Sequence, residues 1–540
     1  MGNTMNNLAG RREWLGLGVL ASVALLLSLD GSVLYLALPR LSAGLGASAP
    51  QQLWILDIYS FMLAGFLVTM GTLGDRIGRR RLLMIGAACF GAASVLAAFS
   101  VSAEMLIATR ALLGVAGATL MPSSMALLRN MFRDPKQMGA AIGIWFSCFM
   151  VGMALGPLVG GLLLEHFWWG SAFLLGVPFM VLLLATGRAL LPEYRDPAAG
   201  RLDPASVALS LTAILPFIYG LKDVARNGLN PVAVASIVIG VAVGAVFVRR
   251  QRRLAAPLLD LRLFGNRAFA ATLGIMLLGG VVMAGTTLMS TTYLQTVAGL
   301  SPLSAGLWLV PQNIVMIAAL TLAPVLARRF GTAYAMAGGL VVGAVGLFAH
   351  TQVPSVGGTW PVVAGLILAS AGIAVPMGAG NGLIMTAAPV EKAGSAAALG
   401  ETSGEFGVAV GVAVLGSLGT AVYRGQLPDT LPVEGARESI TAAVTVAKDL
   451  PGVLEVARGA FTTGLNAVAA VGVVVFLVLA AVTIAVLRHH DRAAQPHDTP
   501  ADDATADEAS SDAATADGAT AGGASSGGAS SDGPEVLTAA

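Results

Sequence analysis

The chain has 540 residues, 56% of them hydrophobic and 11% charged, with a formal net charge of +1 and a mean hydropathy of +0.79. That composition is too apolar for a soluble globular protein. The arginines gather at the ends of apolar runs, so charge is sorted by side rather than by sum, and no polar face suited to a nucleic acid emerges.

Arg11-Arg12 precedes an apolar run that continues to Leu38, longer than a signal-peptide core, so the first span is expected to stay. Apolar runs able to cross a bilayer, at about 20 residues each, occur fourteen times. Six lie near Trp14–Leu38, Leu53–Gly71, Leu82–Val101, Glu104–Leu128, Ala140–Leu164 and Ser171–Leu190. Two follow near Pro204–Leu221 and Pro231–Val248. The last six lie near Ala268–Thr292, Leu303–Ala327, Ala333–Ala349, Pro361–Met385, Ala396–Val422 and Phe461–Leu487. The expected organisation is a cytoplasmic N-terminus (1–13), a six-helix bundle (14–190), a linker with two inserted helices (191–267) and a second six-helix bundle (268–487). Within that second bundle, 423–460 is a polar external loop in which Glu434–Lys448 reads as a short surface helix. From about Asp491 the tail (488–540) is Ala, Asp, Thr, Ser and Gly without an apolar period, which reads as disordered. The fold class is therefore an all-α polytopic membrane protein.

Orientation is set by Gly71-Thr72-Leu73-Gly74-Asp75-Arg76-Ile77-Gly78-Arg79-Arg80-Arg81. Four arginines within six residues cannot sit in hydrocarbon, where each costs about 2.5–3.5 kcal/mol. The positive-inside bias puts this turn in the cytoplasm. Alternation then sends Arg11-Arg12, Arg129/Arg133/Lys136, Arg188/Arg195/Arg201, Arg249–Arg253 with Arg262 and Arg267, Arg328-Arg329, Lys392 and Arg488 to the same side, while Lys222, Arg226, Arg424 and Arg437 fall opposite. Both termini fall inside, at the plasma membrane.

Ionisable residues within spans are functional candidates by default. They are Asp30 in span 1, Asp57 in span 2, Arg110 in span 4, and Glu401 and Glu405, one helical turn apart in span 13. An arginine beside a buried carboxyl favours its charged form while burial opposes it, a balance that suits a group changing protonation; a permanent structural ion pair is the alternative. Glu401 and Glu405 repel if both ionise, so one should hold a proton, unless Glu401 lies near enough to the span end to be hydrated. Trp54, Tyr59, Trp145, Phe149, Met153, Tyr293 and Trp308 offer aromatic or soft faces for a lipophilic cation, or else packing and interfacial anchors. Trp54 lies one turn from Asp57.

Gly71-x-Leu73-x-Asp75-Arg76-x-Gly78-Arg79-Arg80-Arg81 resembles the loop between helices 2 and 3 of major facilitator superfamily transporters. Gly152-x-x-x-Gly156-Pro157-x-x-Gly160-Gly161 is similar to the span-5 signature of that family's antiporters. Leu29-Asp30 to Pro39 resembles the span-1 signature of its drug:proton antiporters, and Arg110 with Gly114 and Gly117 the span-4 signature. Leu53–Ser60 together with Ser395–Phe406 resembles the fourteen-span branch that exports quaternary ammonium compounds.

The resemblance implies two six-helix bundles with an inserted pair, and proton-driven export of amphipathic cations by alternating access. It implies Asp30, Asp57, Glu401 and Glu405 as proton or cation acceptors, with Arg110 tuning Asp30. Gly71, Asp75, Arg76, Gly78, Arg79, Gly156 and Pro157 would belong to the gates. The implied partners are the lipid bilayer, drug-like small molecules and protons, the chain acting as a monomer without a cofactor. One departure is the lack of an acid in Leu303–Ala327, where Gln312 and Asn313 stand instead, which counts against divalent cationic drugs.

A dedicated exporter of one metabolite or antibiotic fits the same features. An enzyme fits less well, because His-Glu-x-x-His and a phosphate-binding loop with a following Lys are absent from the sequence. The five histidines lack metal-ligand spacing, and Cys89 and Cys148 lie in apolar runs where packing is expected. A membrane sensor would be expected to carry a folded cytoplasmic domain in place of a low-complexity tail.

Overall fold

The computed structural model describes residues 9–195, 203–254, 261–387, 393–428, 434–446 and 450–494, and every regular element among them is helical. The first six spans are α1 (Arg11–Leu45), α2 (Ala49–Ile77), α3 (Arg79–Ala98), α4 (Ala103–Met131), α5 (Pro135–His166) and a sixth made of α6 (Ser171–Leu174) and α7 (Gly176–Leu190). The pair α8 (Pro204–Asn227) and α9 (Pro231–Gln251) follows. The remainder comprises α10 (Arg267–Thr296), α11 (Pro302–Phe330), α12 (Thr332–His350), α13 (Thr359–Ala387), α14 (Ala393–Gln426), the short α15 (Ile440–Val446) and α16 (Pro451–Ala494).

Several helices re-enter hydrocarbon through a side-chain cap followed by proline, as at Asp134-Pro135, Asp203-Pro204, Asn230-Pro231 and Ser301-Pro302. The cap oxygen accepts an orphan backbone N–H and the proline has none to satisfy, so the helix starts with fewer unpaired donors.

Twelve described helices are long and apolar enough to cross a membrane, or thirteen when α2, bent by 50° between Ala49–Leu67 and Thr69–Ile77, is taken as one span. The expected fourteenth, near Pro204–Leu221, is a shorter apolar helix, Pro204–Gly220. Lys222, Asp223 and Arg226 bring charge into the last turns of α8 and cut its apolar length short. Fourteen crossings are thus not reached on length and hydropathy.

Within the first half α1 packs along α5, α2 along α4, and α3 against α4 and α7. In the second half α10 packs along α14, while α13 touches α10, α11 and α12. Two seams join the halves, α2 against α14 and α5 against α11. α8 lies against both α2 and α14, sharing an apolar cluster of Phe61, Ile218, Ala409 and Ala413. At the end opposite the arginine-rich turn, Leu38, Leu53, Leu288, Leu415, Ile440 and Phe461 belong to one continuous core, so both halves are closed together there. Cys89 is exposed on α3, against the packing expected for it, and Cys148 is half-buried on α5; both are free thiols.

The arginine-rich turn is far shorter than the sequence suggested. α2 runs to Ile77 and α3 begins at Arg79, leaving Gly78 alone between them with φ of 112°, a value that favours glycine. Asp75 pairs with Arg79 at 2.6 Å within this same turn. Arg80 bonds the Leu191 carbonyl at 3.0 Å and pairs with Glu193 at 3.4 Å, tying the turn to the segment after α7. Arg76 is exposed.

The helix expected over Glu434–Lys448 is broken into a 3-10 turn, Glu434–Arg437, and α15, with Lys448 outside the described residues. Tyr423 donates to the Ala436 carbonyl at 2.6 Å, and Ala436 and Ala443 are fully buried, so this segment is packed down onto the bundle. α16 continues past Asp491 to Ala494; the rest of the tail expected to be disordered, 495–540, lies outside the described residues.

At the basic end of the inserted pair, Asp203 caps α8 and receives both arms of Arg250 from α9, Nη2 to Oδ1 at 2.9 Å and Nε to Oδ2 at 3.2 Å. Those hydrogen bonds hold the Asp203 carboxyl below the usual carboxylate range, at about 2. A depressed pKa contributes stability that is fully present above the ordinary value of 3.8 and is lost as pH falls through about 2. Asp203→Asn is therefore expected to speed hydrogen exchange severalfold in the first turn of α8 and the last turn of α9 at pH 7. Taking the wild type from pH 7 to 4 should leave that protection, corrected for intrinsic exchange, in place. Equal protection in the variant would remove the clasp from this account.

Candidate functional site

Arg110 is the largest fully buried side chain, only 2% exposed. Its Nη1 lies 3.2 Å from Asp30 Oδ2 on α1, and its Nε donates to the Ile55 carbonyl on α2 at 3.2 Å. The guanidinium also sits over the Tyr59 ring, 4.6 Å from its centroid, and 6.0 Å from that of Phe173 on α6. Glycines make this approach possible. A side chain at Gly114 would meet the Tyr59 carbonyl, and one at Gly117 the Tyr59 hydroxyl. The Asp30–Arg110 juxtaposition expected from sequence is thus present, with α2 supplying a carbonyl and an aromatic face that charge alone did not reveal.

A second acid reaches the same place from the other half. Glu405 on α14 accepts a hydrogen bond from Ser60 on α2, across the α2–α14 seam. One residue further on, Phe61 meets Phe406 edge-on at 6.1 Å. The phenol of Tyr35 lies within electrostatic range of Glu405, Asp57 and Arg110, and that of Tyr59 within range of Asp30, Glu405 and Arg110. Asp57 is 1% exposed, so it belongs to this interior group. The backbone of Glu401 continues α14, but its side chain lies outside the described ones, as does any pairing with Glu405.

Asp30 is thus paired with Arg110, while Asp57 and Glu405 lie within electrostatic range of the Tyr35 phenol beside that pair. Tyr35 and Ser60 carry no charge, and the sequence offered no signal for them beyond lying within the quoted motif stretches. One turn from Asp57 toward the closed end, Leu53 borders a cavity of ≈ 50 Å³, large enough for water. Gln52, Thr292, Thr420, Tyr423, Ser439 and Thr441 give it a polar lining.

The span-5 glycines serve two neighbours. Side chains at Gly152 and Gly156 would meet Ser28 and Ser32 of α1, while Gly161 lies against Leu303 and the Pro157 carbonyl against Gly306 of α11. Of the aromatic candidates, Trp54 is half-buried beside Asp57. Trp145 is buried and stacks on Phe149 at 6.2 Å, one and two turns from Met153 on the same face of α5. Tyr293 instead donates to the Pro354 carbonyl at 2.5 Å, and Trp308 meets Trp360 edge-on at 5.0 Å.

Residues 20–412 match the Major Facilitator Superfamily. The chain is 44% identical over 487 residues to the multidrug efflux pump LfrA of Mycolicibacterium smegmatis, covering 87% of this chain and 95% of that protein. It is 34% identical over 461 residues to the methyl viologen resistance protein SmvA of Salmonella typhimurium, covering 83% and 93%. Among solved structures, a bacterial homologue of the human lysosomal transporter Spinster, inward-facing and unoccupied, superposes with a TM-score of 0.64 at 17% identity, over 89% of this chain and 98% of that one.

Breaking a buried ion pair from one side strands the other charge, at a cost of about 3–5 kcal/mol. Arg110→Ala is expected to lose most of its folded yield in membranes. Asp30→Asn combined with Arg110→Gln, neutral on both sides, should recover that yield and remain inactive. Thermal unfolding of the purified variants is the check: a double variant no more stable than Arg110→Ala contradicts the pairing.

Proposed function

The chain belongs to the Major Facilitator Superfamily, and on that premise we propose that it is a proton-driven multidrug exporter of amphipathic, chiefly cationic compounds. It is a multi-span membrane transporter, with the bilayer and small molecules as its partners. The observation that carries the proposal is that Asp30, Asp57 and Glu405, from both halves, gather around the Tyr35 and Tyr59 phenols, with Glu405 bonded to Ser60 across the α2–α14 seam. Carboxylates held in hydrocarbon must be neutralised. Protons and a cationic substrate satisfy that need interchangeably, so the two compete for one cluster.

The cycle follows from that competition. A cation entering from the basic end displaces protons from Asp30, Asp57 and Glu405. Once the opposite end opens, protons arriving down their gradient displace the cation. Arg110 keeps Asp30 poised between the two states, because an adjacent guanidinium favours the carboxylate while burial opposes it. Trp54, Tyr59, Trp145, Phe149 and Met153 give the cation an apolar and aromatic wall. The turn from Gly71 to Arg81, braced by Asp75–Arg79 and Arg80–Glu193, closes the basic end, and Gly156-Pro157 forms the hinge of α5. With positive charge facing inward, both termini are cytoplasmic and the state described is closed at the end away from the cytoplasm. The proton gradient is the sole energy source, and one chain forms the transport unit. The names of the relatives support export of foreign compounds: LfrA is named a multidrug efflux pump, and SmvA is named for resistance to methyl viologen, a dication of the charge class that the missing acid in Leu303–Ala327 counts against.

Everted vesicles energised with a proton gradient should take up ethidium, and an uncoupler should abolish that uptake. Asp30→Asn and Glu405→Gln are each expected to lower the initial rate at least tenfold at equal protein. Full activity in both variants would remove these acids from the mechanism. Uptake of one compound among many tested would favour a dedicated exporter.

A further inference from the structure

Pro157 stands inside α5 and has no N–H, so the carbonyl four residues earlier, that of Met153, loses its intrahelical donor. At mid-membrane no water replaces it, and an unpaired carbonyl there is costly. The structure answers from the other half: Asn313 of α11, itself 8% exposed, donates its Nδ2–H to the Met153 carbonyl at 2.9 Å. The α5–α11 seam reads as a sequence of contacts from its closed end. Glu165 accepts from Ser301 at 3.0 Å, Gly161 meets Leu303, Pro157 meets Gly306, and the Asn313–Met153 bond comes deepest.

We propose that Asn313 is a positioning residue for alternation between the two halves: by satisfying the carbonyl that Pro157 frees, it latches α5 to α11 in the state closed at the Ser301 end. The bond is directional and crosses the seam that must part when that end opens. The Met153 carbonyl cannot replace it within its own helix, because the donor it would use is the N–H that Pro157 lacks. The proposal rests on the transporter reading only in requiring two states, and its central test involves no substrate.

The test is made in nanodiscs, in a Cys89→Ser, Cys148→Ser background carrying Ala305→Cys. Ala305 is fully buried on α11 near the closed end, so an impermeant maleimide reaches that cysteine in proportion to opening. Asn313→Leu is expected to raise the labelling rate at least fivefold. Pro157→Ala restores an N–H for the Met153 carbonyl, so Pro157→Ala with Asn313→Leu should label within twofold of Pro157→Ala alone. General damage to packing would not be undone in this way. Unchanged labelling in Asn313→Leu overturns the latch, and so does a double variant that labels as fast as Asn313→Leu. Should Asn313→Leu not insert stably, Asn313→Ala serves in its place under the same criteria. Ethidium uptake by the parent protein, measured separately, tests the export reading and can fail without touching this result.

Discussion

A guanidinium cannot be left alone in hydrocarbon, and the centre of the first bundle is arranged around that constraint at Arg110. Its charge is met by Asp30, one N–H by the Ile55 carbonyl and its face by Tyr59. Those partners come from two different helices, so α1, α2 and α4 must all approach within side-chain reach. Gly114 and Gly117 then follow, since any larger residue would hold α4 away from Tyr59. Glycine on α4 is thus a consequence of the charge rather than a separate feature. The same closeness brings Tyr59 and Ser60 to the seam where Glu405 arrives from the second half.

The backbone obeys the same rule as the side chains. A proline in a spanning helix frees a carbonyl, and in a bilayer that carbonyl must find protein. Pro157 frees Met153, which receives the Asn313 amide. Pro376 frees Gly372, against which Gly339 of α12 lies, and Pro324 frees Leu320, against which Gly378 of α13 lies. In the last two cases glycine lets the neighbouring backbone close over the oxygen, offering at most weak C–H contacts. Only the first uses a full N–H donor, and it is the one of the three that crosses between halves. That difference separates a packing contact from a directional bond.

The sequence conveyed what hydropathy and charge control. The spans are legible because twenty apolar residues have little choice in a bilayer, and the Asp30–Arg110 pairing because two opposite charges at similar depth must meet or be excluded. Chain geometry was less accessible. The turn after α2 looked long because arginine and glycine suggest a loop, yet arginine is a good helix former and a single positive-φ glycine, Gly78, suffices for the reversal. Within that reversal Asp75 pairs with the arginine four residues away. Tyr35, Ser60 and Asn313 were not singled out as site residues because neutral groups signal their role only through what they touch. Tyr293 takes the packing alternative that the sequence left open, its hydroxyl donating to the Pro354 carbonyl.

The two seams between the halves are built from different chemistry. At α2–α14 the contacts are carboxyl, hydroxyl, phenol and aromatic ring, groups whose charge and contacts change with whatever occupies the site. At α5–α11 the deep contacts are backbone carbonyl, glycine and an amide, none of which titrates. Protonation or a bound cation can therefore alter the first seam without altering the second. The second is left to respond to geometry alone, through a proline-interrupted helix whose freed carbonyl has one partner across the divide. On the proposed export reading, division of this kind would let many cations neutralise the same carboxyls, since Coulomb attraction is indifferent to shape, while the register of the halves would depend on a bond that demands it.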